Sequence, residues 1–537
     1  MNKDSFEHDV VIIGAGVCGI YMLYRAREIG LRVTLVEKGD GPGGTWYWNR
    51  YPGARFDSES YSYGYSFSKD LLAEWNWTER FASQPETLRY LNHVVDRFDL
   101  RQGMQFGRCV KAARFDEATK CWHILLEDGD ELRTRFLITA IGMLSAPTLP
   151  RIDGLDTFGG ESFHTYHWPR EGVDLDGKSV AVIGTGATAV QLIPEVAKIA
   201  RHLTVFQRRP NWCAPLHNGT LDVDEMAQIK EQYEEIFARC ARTPSGFLHG
   251  PDRRDFDSLS VQEKEEFWEN LYQSPGFGKW LGNFVKVLVD PSANAEYSEF
   301  IAAKIRERVH DQKVALKLIP IDHGFGSRRV PLETDYYEAF NRDNVELIDL
   351  NETPIERILK TGIQTSEREF EFDLIVYATG FDAITGSFDR IDIKGKGSRT
   401  LREKWIDGPQ TYLGLQTRGF PNLFTLAGPQ SASVGTNFPR GIEDAVDWTI
   451  RMLKYMRVHG YHHVEASLNA EEAWTAHVKE SYEAFWFHEV KSWFNGYNSN
   501  LDGHDRVRHL VYFGGAPEYR TRINEIASRD YEGFEFV

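Results

Sequence analysis

Short apolar runs that end at a glycine or a charged residue set the pattern of the chain. The run Asp9–Ile13 leads directly into Gly14, and a stretch compatible with a helix follows as far as Arg27. A second apolar run, Arg32–Val36, then ends at Glu37. Apolar runs around a glycine turn and a helical stretch predict the order strand, turn, helix, strand.

The same pattern returns further along. The run Ser179–Ile183 ends at Gly184, a helical stretch extends to about Ala200, and Leu203–Phe206 forms the next apolar run. Two copies of one such unit predict a pair of nucleotide-binding folds rather than a solenoid. The expected fold class is therefore α/β, with two Rossmann-like dinucleotide-binding domains and a helical insertion.

Two further apolar runs, Phe136–Ala140 and Leu374–Ala378, predict additional sheet strands on either side of the second fold. We therefore expect a discontinuous first domain into which the second is inserted. The predicted boundaries are 1–143 and 382–537 for the first domain, 144–214 and 324–381 for the second, and 215–323 for the helical insertion.

Within 215–323, long polar stretches with helical spacing replace the apolar runs. One stripe keeps a single apolar face at steps of three and four residues, and its members are Met226, Ile229, Tyr233, Ile236 and Cys240. We interpret the stripe as core packing against the neighbouring domain and not as a cofactor site.

Composition narrows the functional classes. A chain of 537 residues, 42% hydrophobic and 13% aromatic, is long enough for two or three packed domains. A formal net charge of -17 argues against a nucleic-acid or anionic-membrane partner, because phosphate recognition needs a basic face. The five cysteines form no Cys-x-x-Cys pair, so no metal site is expected. We expect a cytoplasmic protein, and the oligomeric state stays open.

The glycine-rich loops Gly14–Gly19 and Gly184–Ala189 each follow the first strand of a fold. Glycine permits a tight turn and close backbone approach, so a pyrophosphate can lie on the amides and positive dipole of the helix N-terminus. Ala189 replaces the third glycine of the second loop, which a methyl group still tolerates. Two such loops in register with strands predict that the chain handles two dinucleotides.

The residue after the second strand of each fold distinguishes the two nucleotides. Glu37 lies 23 positions beyond Gly14, and a carboxylate accepts a ribose 2'-OH but repels a 2'-phosphate, which favours FAD or NAD. Arg208 lies 24 positions beyond Gly184 with Arg209 beside it, which favours NADPH because guanidinium groups pair well with phosphate. A solvated charge pair is the alternative for the two arginines.

Aromatic residues and glycines alternate with polar residues in the stretch Gly43–Asp57. Flat rings and bare backbone suit a surface against an isoalloxazine ring. On composition alone, a glycine-rich loop packed by tryptophans is equally compatible.

A motif between the two loops carries the most specific signal. Residues 158–169 read Phe-x-Gly-x-x-x-His-x-x-x-Trp-Pro, with His164 and Trp168 among the fixed positions. This motif resembles the fingerprint of type I Baeyer–Villiger monooxygenases, and the resemblance extends over nearly the whole chain, most of all to the phenylacetone and steroid monooxygenase branch. The segments that also look like those of the family are 43–57, 341–345, 378–382 and 408–414.

The resemblance implies a flavoprotein that holds FAD in the first domain and NADPH in the second. Its partners are then a small-molecule ketone and O2, and it converts the ketone to an ester or lactone through a C4a-peroxyflavin. His164 and Trp168 are expected to couple domain motion to cofactor binding, with packing as an equal role for Trp168. His164 is not expected to be a catalytic base.

Carried over residue by residue, Arg329 matches the active-site arginine of the family, Asp57 the aspartate that pairs with it, and Arg328 a basic residue that helps hold the 2'-phosphate. The resemblance places FAD contacts at Gly14, Gly16, Gly19, Glu37, Thr45, Trp46, Asp57, Tyr63, Val110 and Phe438. It places NADP contacts at Arg55, Thr185, Gly186, Ala187, Thr188, Gln191, Arg208, Arg209, Arg328, Arg329 and Trp493.

Three of these positions carry further expectations. Trp493 looks like the tryptophan of a mobile loop that closes over NADP. Arg209 stands where a small hydroxyl residue is common, which should not harm phosphate binding. Phe438 stands where the phenylacetone branch has methionine, which leaves the substrate scope open.

The implied chemistry explains why Arg329 and Asp57 are expected to be catalytic. A fixed cation stabilises the peroxide anion and then the oxyanion of the ketone adduct in a site sheltered from water. Arginine cannot lose its proton, and a charge-assisted pair with Asp57 orients it. Two alternatives stay open: a flavin monooxygenase that oxygenates nitrogen or sulfur, and a catalytically silent dinucleotide-binding sensor.

Overall fold

The computed structural model of the protein describes residues 7–537 and has a mixed α/β fold with two main sheets. The first sheet is built around the strand His8–Ile13, whose interior residues are fully buried. Val33–Val36 and Glu131–Thr139 pair with it in parallel on its two sides. Continuous apolar runs form these strands because helices and loops cover both faces of a parallel sheet.

Five further strands complete the first sheet. Met104–Gln105 lies outside Val33–Val36, and Leu423–Thr425 runs parallel to the end of Glu131–Thr139. The remaining strands, on the other side, are Cys121–Leu126, Val110–Asp116 and Asp392–Lys394. The predicted run Phe136–Ala140 thus covers the last four residues of the longer strand Glu131–Thr139 and one residue beyond it.

The second sheet has five strands, all parallel. The predicted strand Ser179–Ile183 lies in the middle, between His202–Gln207 and Leu374–Tyr377. Val345–Asp349 and Glu161–His164 form the two edges. In sequence, the strands of this sheet lie between those of the first sheet that precede residue 140 and those that follow residue 391.

Smaller sheets and many helices complete the described chain. The small sheets are Ile355–Leu359 with Gly362–Thr365 and Glu369–Glu371, Ala214–Pro215 with Leu332–Glu333, and Val464–Ala466 with Phe534–Phe536. The α-helices are Val17–Glu28, Thr45–Trp48, Ser60–Tyr63, Lys69–Glu74, Gln84–Arg97, Ala187–Ile199, Val223–Arg242, Val261–Gln273, Gly278–Leu281, Val285–Val289, Pro291–Arg308, Gln312–Leu318, Tyr336–Ala339, Leu401–Lys404, Phe438–His459, Leu468–Glu483 and Ala516–Ser528. The 3-10 turns are Arg101–Gly103, Thr165–His167, Phe256–Ser258, Phe388–Arg390, Lys396–Ser398, Ala432–Gly435, Trp486–Glu489 and Trp493–Asn495.

The apolar stripe in 215–323 lies on the helix Val223–Arg242, which begins with a capping box formed by Asp222 and Glu225. Met226, Tyr233 and Ile236 are buried in the core cluster that also contains the helix Val17–Glu28 and the strand His8–Ile13 of the first fold. The predicted packing role of the stripe is therefore confirmed.

Candidate active site

A cavity of about 1380 Å³ lies at the carboxyl ends of strands from both sheets. Ile13 and Val36 of the first sheet and Ile183 of the second line it. Parallel α/β sheets bind ligands at this edge. The predicted residues that line it are Gly14, Gly16, Glu37, Thr45, Trp46, Arg55, Asp57, Tyr63, Val110, Thr185, Gly186, Ala187, Thr188, Gln191, Arg208, Arg209, Arg328, Arg329, Phe438 and Trp493.

The first loop leaves no room for side chains at two of its glycines. Gly14 has φ +104°, and a Cβ there would lie 2.6 Å from the carbonyl oxygen of Ala140. At Gly19 a Cβ would lie 1.8 Å from the carbonyl oxygen of Gly14, so Gly19 packs behind the loop and does not face the cavity. Gly16 occupies the cap position of the helix Val17–Glu28, which points its N-terminal amides toward the cavity.

Glu37 is buried, with 6% of its surface exposed. Its Oε2 accepts a hydrogen bond from the Ala15 amide at 2.8 Å and its Oε1 one from the Gly39 amide at 2.8 Å. These bonds fix the carboxylate beside the first loop. Each carboxylate oxygen can accept more than one bond, so the group can still receive ribose hydroxyls.

The second loop repeats the geometry of the first. Gly184 has φ +115°, and a Cβ there would lie 2.4 Å from the carbonyl oxygen of Ala378. Gly14 has the same relation to the carbonyl oxygen of Ala140. Gly186 caps the helix Ala187–Ile199 and has open space where a side chain would point. Thr185 Oγ1 donates to the carbonyl oxygen of Arg209 at 2.9 Å, which ties the loop to the end of the next strand.

Three arginines lie together at the second loop. Arg208 and Arg209 are exposed, whereas Arg328 is partly buried and donates to Asp322 Oδ2 at 3.0 Å. Burial lowers the pKa of Arg328, and the charge of Arg209 lowers it further against the attraction of Asp322. Arg328 Nε is buried and has no hydrogen-bond partner within residues 7–537. The cluster therefore concentrates positive charge at the second loop and leaves one buried donor unsatisfied.

Arg329 and Asp57 form an ion pair inside the cavity. Arg329 Nη2 lies 2.7 Å from Asp57 Oδ2, and Asp57 is 3% exposed. The Leu332 amide donates to the same Oδ2 at 3.2 Å, and Gln191 Nε2 donates to Oδ1 at 3.5 Å. A carboxylate held by three donors gives the guanidinium a fixed position.

Gln191 joins the helix of the second loop to the segment before Asp57. Its Nε2 donates to the carbonyl oxygen of Arg55 at 3.0 Å, and its Oε1 accepts from the Tyr51 hydroxyl at 2.9 Å. The Arg55 guanidinium itself is engaged by the carbonyl oxygen of Phe81 at 3.1 Å and by Glu79. Gln191 therefore connects the two nucleotide folds at the Asp57 carboxylate.

The stretch Gly43–Asp57 lies against the first loop. A Cβ on Gly44 would lie 2.7 Å from Gly16 Cα, so the two backbones touch. Thr45 and Trp46 start the short helix Thr45–Trp48, and Trp46 Nε1 donates to the Tyr63 hydroxyl at 3.0 Å. The aromatic residues therefore form a rigid surface next to the glycine turn.

Three aromatic residues of the helical insertion that the sequence did not indicate also line the cavity. They are Phe247, Phe277 and Trp280, and we call them the aromatic wall. The Phe247 and Phe277 rings lie 5.0 Å apart, and the Arg329 guanidinium lies 5.9 Å from the Phe277 ring. The mixture of glycine and aromatic residues in 276–284 is the signal that could have indicated this role, because 43–57 has the same character.

The linker motif takes a structural position beside the cavity. His164 is buried, its Nε2 donates to the carbonyl oxygen of Gly380 at 3.0 Å, and its Nδ1 accepts from the Tyr166 amide at 3.1 Å. Burial lowers the pKa of His164 to about 4. Trp168 is buried and packs edge-on against Phe163 at 5.0 Å. A neutral histidine with both nitrogens engaged is not placed to act as a base.

Residues 7–537 lack two features. They contain no group of three or more His, Cys, Asp and Glu side chains that could hold a metal ion. None of their helices is both long and apolar enough to cross a bilayer.

Comparison with known proteins gives similarities over most of the chain. Residues 11–242 match the family described as pyridine nucleotide-disulphide oxidoreductase. The chain is 45% identical to 2-oxo-Δ3-4,5,5-trimethylcyclopentenylacetyl-CoA monooxygenase of Pseudomonas putida, covering 98% of each chain. It is 41% identical to phenazine N-monooxygenase PhzNO1 of Lysobacter antibioticus (99% of this chain, 98% of the relative). It is 37% identical to a Baeyer–Villiger monooxygenase of Pseudooceanicola batsensis (98% and 95%).

Solved structures give the same result. A crystal structure of OTEMO in complex with FAD and NADP is 45% identical, with a TM-score of 0.95 over 99% of this chain and 100% of that chain. Oxidized steroid monooxygenase bound to NADP is 43% identical, with a TM-score of 0.93 over 99% of both chains.

Proposed function

The chain belongs to the Baeyer–Villiger monooxygenases, and on that basis we propose which of its residues bind the cofactors and which act on the ketone. It is an NADPH- and O2-dependent flavoprotein that acts on a small-molecule ketone. When bound, FAD would supply the redox chemistry that activates O2, with NADPH as the source of electrons, so that one oxygen atom is inserted beside the ketone carbonyl. The scattered, unpaired cysteines support a reducing, cytoplasmic location.

We propose that the first fold, at 1–143 and 382–537, holds FAD. The N-terminus of the helix Val17–Glu28, which Gly14 and Gly16 let approach the cavity, receives a pyrophosphate, and the fixed carboxylate of Glu37 accepts the ribose hydroxyls of an unphosphorylated adenosine. Thr45, Trp46, Tyr63, Val110 and Phe438 line the cavity beside this loop and are the proposed contacts of the flavin. Gly19 acts indirectly, by letting the helix approach Gly14.

The second fold, at 144–214 and 324–381, is proposed to hold NADPH. Thr185 to Thr188 present the helix N-terminus, and the cluster of Arg208, Arg209 and Arg328 receives the 2'-phosphate. The unpaired Nε of Arg328 supports this role, since a phosphate oxygen supplies the missing acceptor. Trp493 is the proposed contact of a segment that closes over the nucleotide.

The observation that carries the catalytic assignment is the Arg329–Asp57 ion pair within the cavity. Arg329 binds the ketone oxygen and stabilises the negative charge that develops on it during oxygen insertion. Because a guanidinium keeps its proton, this charge is present throughout the reaction. Asp57 holds Arg329 in place, and the surrounding aromatic side chains exclude water.

Replacing Arg329 by alanine tests this assignment. Arg329→Ala should keep FAD and still oxidise NADPH, whereas ester formation should fall by about 100-fold, as for the loss of an oxyanion-stabilising group. The reducing power should then appear as hydrogen peroxide. Asp57→Ala should show a milder form of the same leak, because the cation remains but is less well held. Ester formation by Arg329→Ala near the wild-type rate would show that the arginine has another role.

A further inference from the structure

A second acidic residue lies two positions after Asp57 and does not line the cavity. Glu59 is 3% exposed, and its Oε1 lies 2.7 Å from His249 Nε2. The His249 side chain is 21% exposed. Neither residue contacts the cavity, so neither can touch a substrate.

Three segments that line the cavity meet at this pair. Asp57 and Ser58 come directly before Glu59, and Phe247 lies two residues before His249. The third segment begins at Gly276 and carries Phe277 and Trp280. A hydrogen bond between Glu59 and His249 therefore joins the segment of the catalytic carboxylate to the segment of Phe247.

The third segment rests directly on the pair. Gly276 has φ +73°, and a Cβ there would lie 2.7 Å from Glu59 Oε1 and 3.2 Å from His249 Nε2. A Cβ on Gly278 would lie 3.4 Å from His249 Nδ1. The backbone on both sides of Phe277 thus packs against the imidazole ring of His249.

A buried lysine, Lys279, lies near enough to Glu59 for the carboxylate to attract its charge. Lys279 is fully buried and donates to the carbonyl oxygen of Ser274. Burial lowers the pKa of Lys279 to about 7, against the attraction of Glu333 and Glu59. Glu59 Oε2 is buried and has no hydrogen-bond partner in the described chain. The carboxylate is therefore held by the hydrogen bond from His249 to its Oε1.

We propose that His249 and Glu59 are positioning residues that fix Phe247 and Phe277 beside Arg329 and thereby set which ketones the cavity accepts. This inference rests on the proposed function. The imidazole spaces the two phenylalanine segments, and Glu59 anchors the imidazole to the segment that holds Asp57. Loss of the hydrogen bond lets the aromatic wall move away from the guanidinium, so a ketone is held less tightly in the reactive position.

The test compares two amides of different reach. In His249→Gln the side-chain amide can still donate to Glu59, whereas in His249→Asn it is too short. His217→Asn is the control, because His217 lies in the same insertion, donates to the carbonyl oxygen of Tyr272 at 3.0 Å and does not line the cavity. Binding of an aryl ketone to the FAD-loaded protein without NADPH is measured by calorimetry, together with FAD content, melting temperature and the KM for NADPH.

His249→Asn should weaken ketone binding by up to about tenfold, the size expected for the loss of one close contact with an aromatic ring. His249→Gln should recover most of this loss, and His217→Asn should bind like the wild type. During turnover, His249→Asn should also release more hydrogen peroxide per NADPH oxidised.

Two results would overturn the inference. One is unchanged ketone binding in His249→Asn. The other is a parallel loss of FAD content, melting temperature and NADPH use, with no recovery in His249→Gln, which indicates a general folding role. Because the binding measurement contains no NADPH, it does not depend on turnover. A wild type that binds the ketone but makes no ester would contradict the proposed function alone.

Discussion

At the scale of single residues, positive charge is concentrated at the second loop, although the chain as a whole has an excess of negative charge. The formal net charge is -17, yet Arg208, Arg209 and Arg328 lie together, and among residues 7–537 Asp322 is the one carboxylate that pairs with any of them. Although the Arg208 side chain is exposed, the surrounding protein desolvates it in part, and this effect and the charge of Arg209 both lower its pKa. Like charges held this close are costly without an anion, which explains why a phosphate site is expected here.

Arg208→Ala should lower kcat/KM with NADPH by about tenfold, since one charge-assisted bond contributes roughly 1.5 to 3 kcal/mol and about 1.4 kcal/mol corresponds to tenfold. We expect the lower end because Arg208 is exposed and two arginines remain. Steady-state rates with NADPH and NADH measure the effect, and those with NADH should change little. Arg201→Ala, an exposed arginine just before the same strand, is the control. Equal losses with both cofactors would assign Arg208 to the fold.

At the scale of elements, His164 connects two neighbouring strands of the second sheet. It ends the strand Glu161–His164, and its ring donates to Gly380, three residues beyond the strand Leu374–Tyr377. The other ring nitrogen accepts from the turn that follows. This arrangement needs the neutral form, because a protonated imidazole loses the Nδ1 acceptor.

The neutral form makes stability depend on pH. The native pKa of His164 is about 4 against an ordinary value of 6.5, so the folded state binds fewer protons than the unfolded state between these values. The contribution of the neutral imidazole to the free energy of unfolding is therefore fully present above about pH 6.5 and is lost as the pH falls toward 4. The loss amounts to about 2 kcal/mol at pH 5.

His164→Asn removes this titration. Between pH 7.5 and 5, the apparent melting temperature of His164→Asn should fall less than that of the wild type, even if the variant is less stable at pH 7.5. His310→Asn, at an exposed histidine, should keep the wild-type slope. Identical slopes for His164→Asn and the wild type would mean that His164 is not the group whose protonation destabilises the fold.

Local elements could be predicted because each one is encoded in consecutive residues. The strand Ser179–Ile183 was predicted with its observed bounds, and the two glycine loops were recognised because positive φ and close backbone contacts exclude other residues. The aromatic wall could not be predicted in the same way. Phe277 reaches Arg329, and Phe247 reaches Phe277, only through packing of the insertion, which is a long-range property.

The site shows the same division. Glu37, Asp57 and Arg329 were expected to be functional, the last two through a family resemblance, and the structure brings all three to one cavity. The bond from Gln191 to Asp57 and the pair formed by Glu59 and His249 join residues more than 130 positions apart. Spacing along the chain carries no signal for such contacts, so only the folded structure reveals them.

At the scale of the whole molecule, overall similarity does not decide which substrate atom receives oxygen. Relatives named for ketone oxidation and for nitrogen oxidation both align over nearly the full chain. The local arrangement is more informative, because the role that we propose for the fixed Arg329 is to stabilise negative charge on a ketone oxygen, whereas a nitrogen nucleophile develops no such charge.

We therefore expect the wild type to form ester from a cyclic or aryl ketone at least about tenfold faster than it forms an N-oxide from a phenazine, a difference of about 1.4 kcal/mol in activation free energy. Arg329→Ala should reduce ester formation strongly and leave any N-oxide formation nearly unchanged, because only the ketone reaction uses the cation. Product analysis of the two substrates, each with both proteins, measures the four rates. If both products fell together in Arg329→Ala, the arginine would serve a step common to both reactions, such as reduction by NADPH, and the preference for ketones would have to arise from the aromatic wall instead.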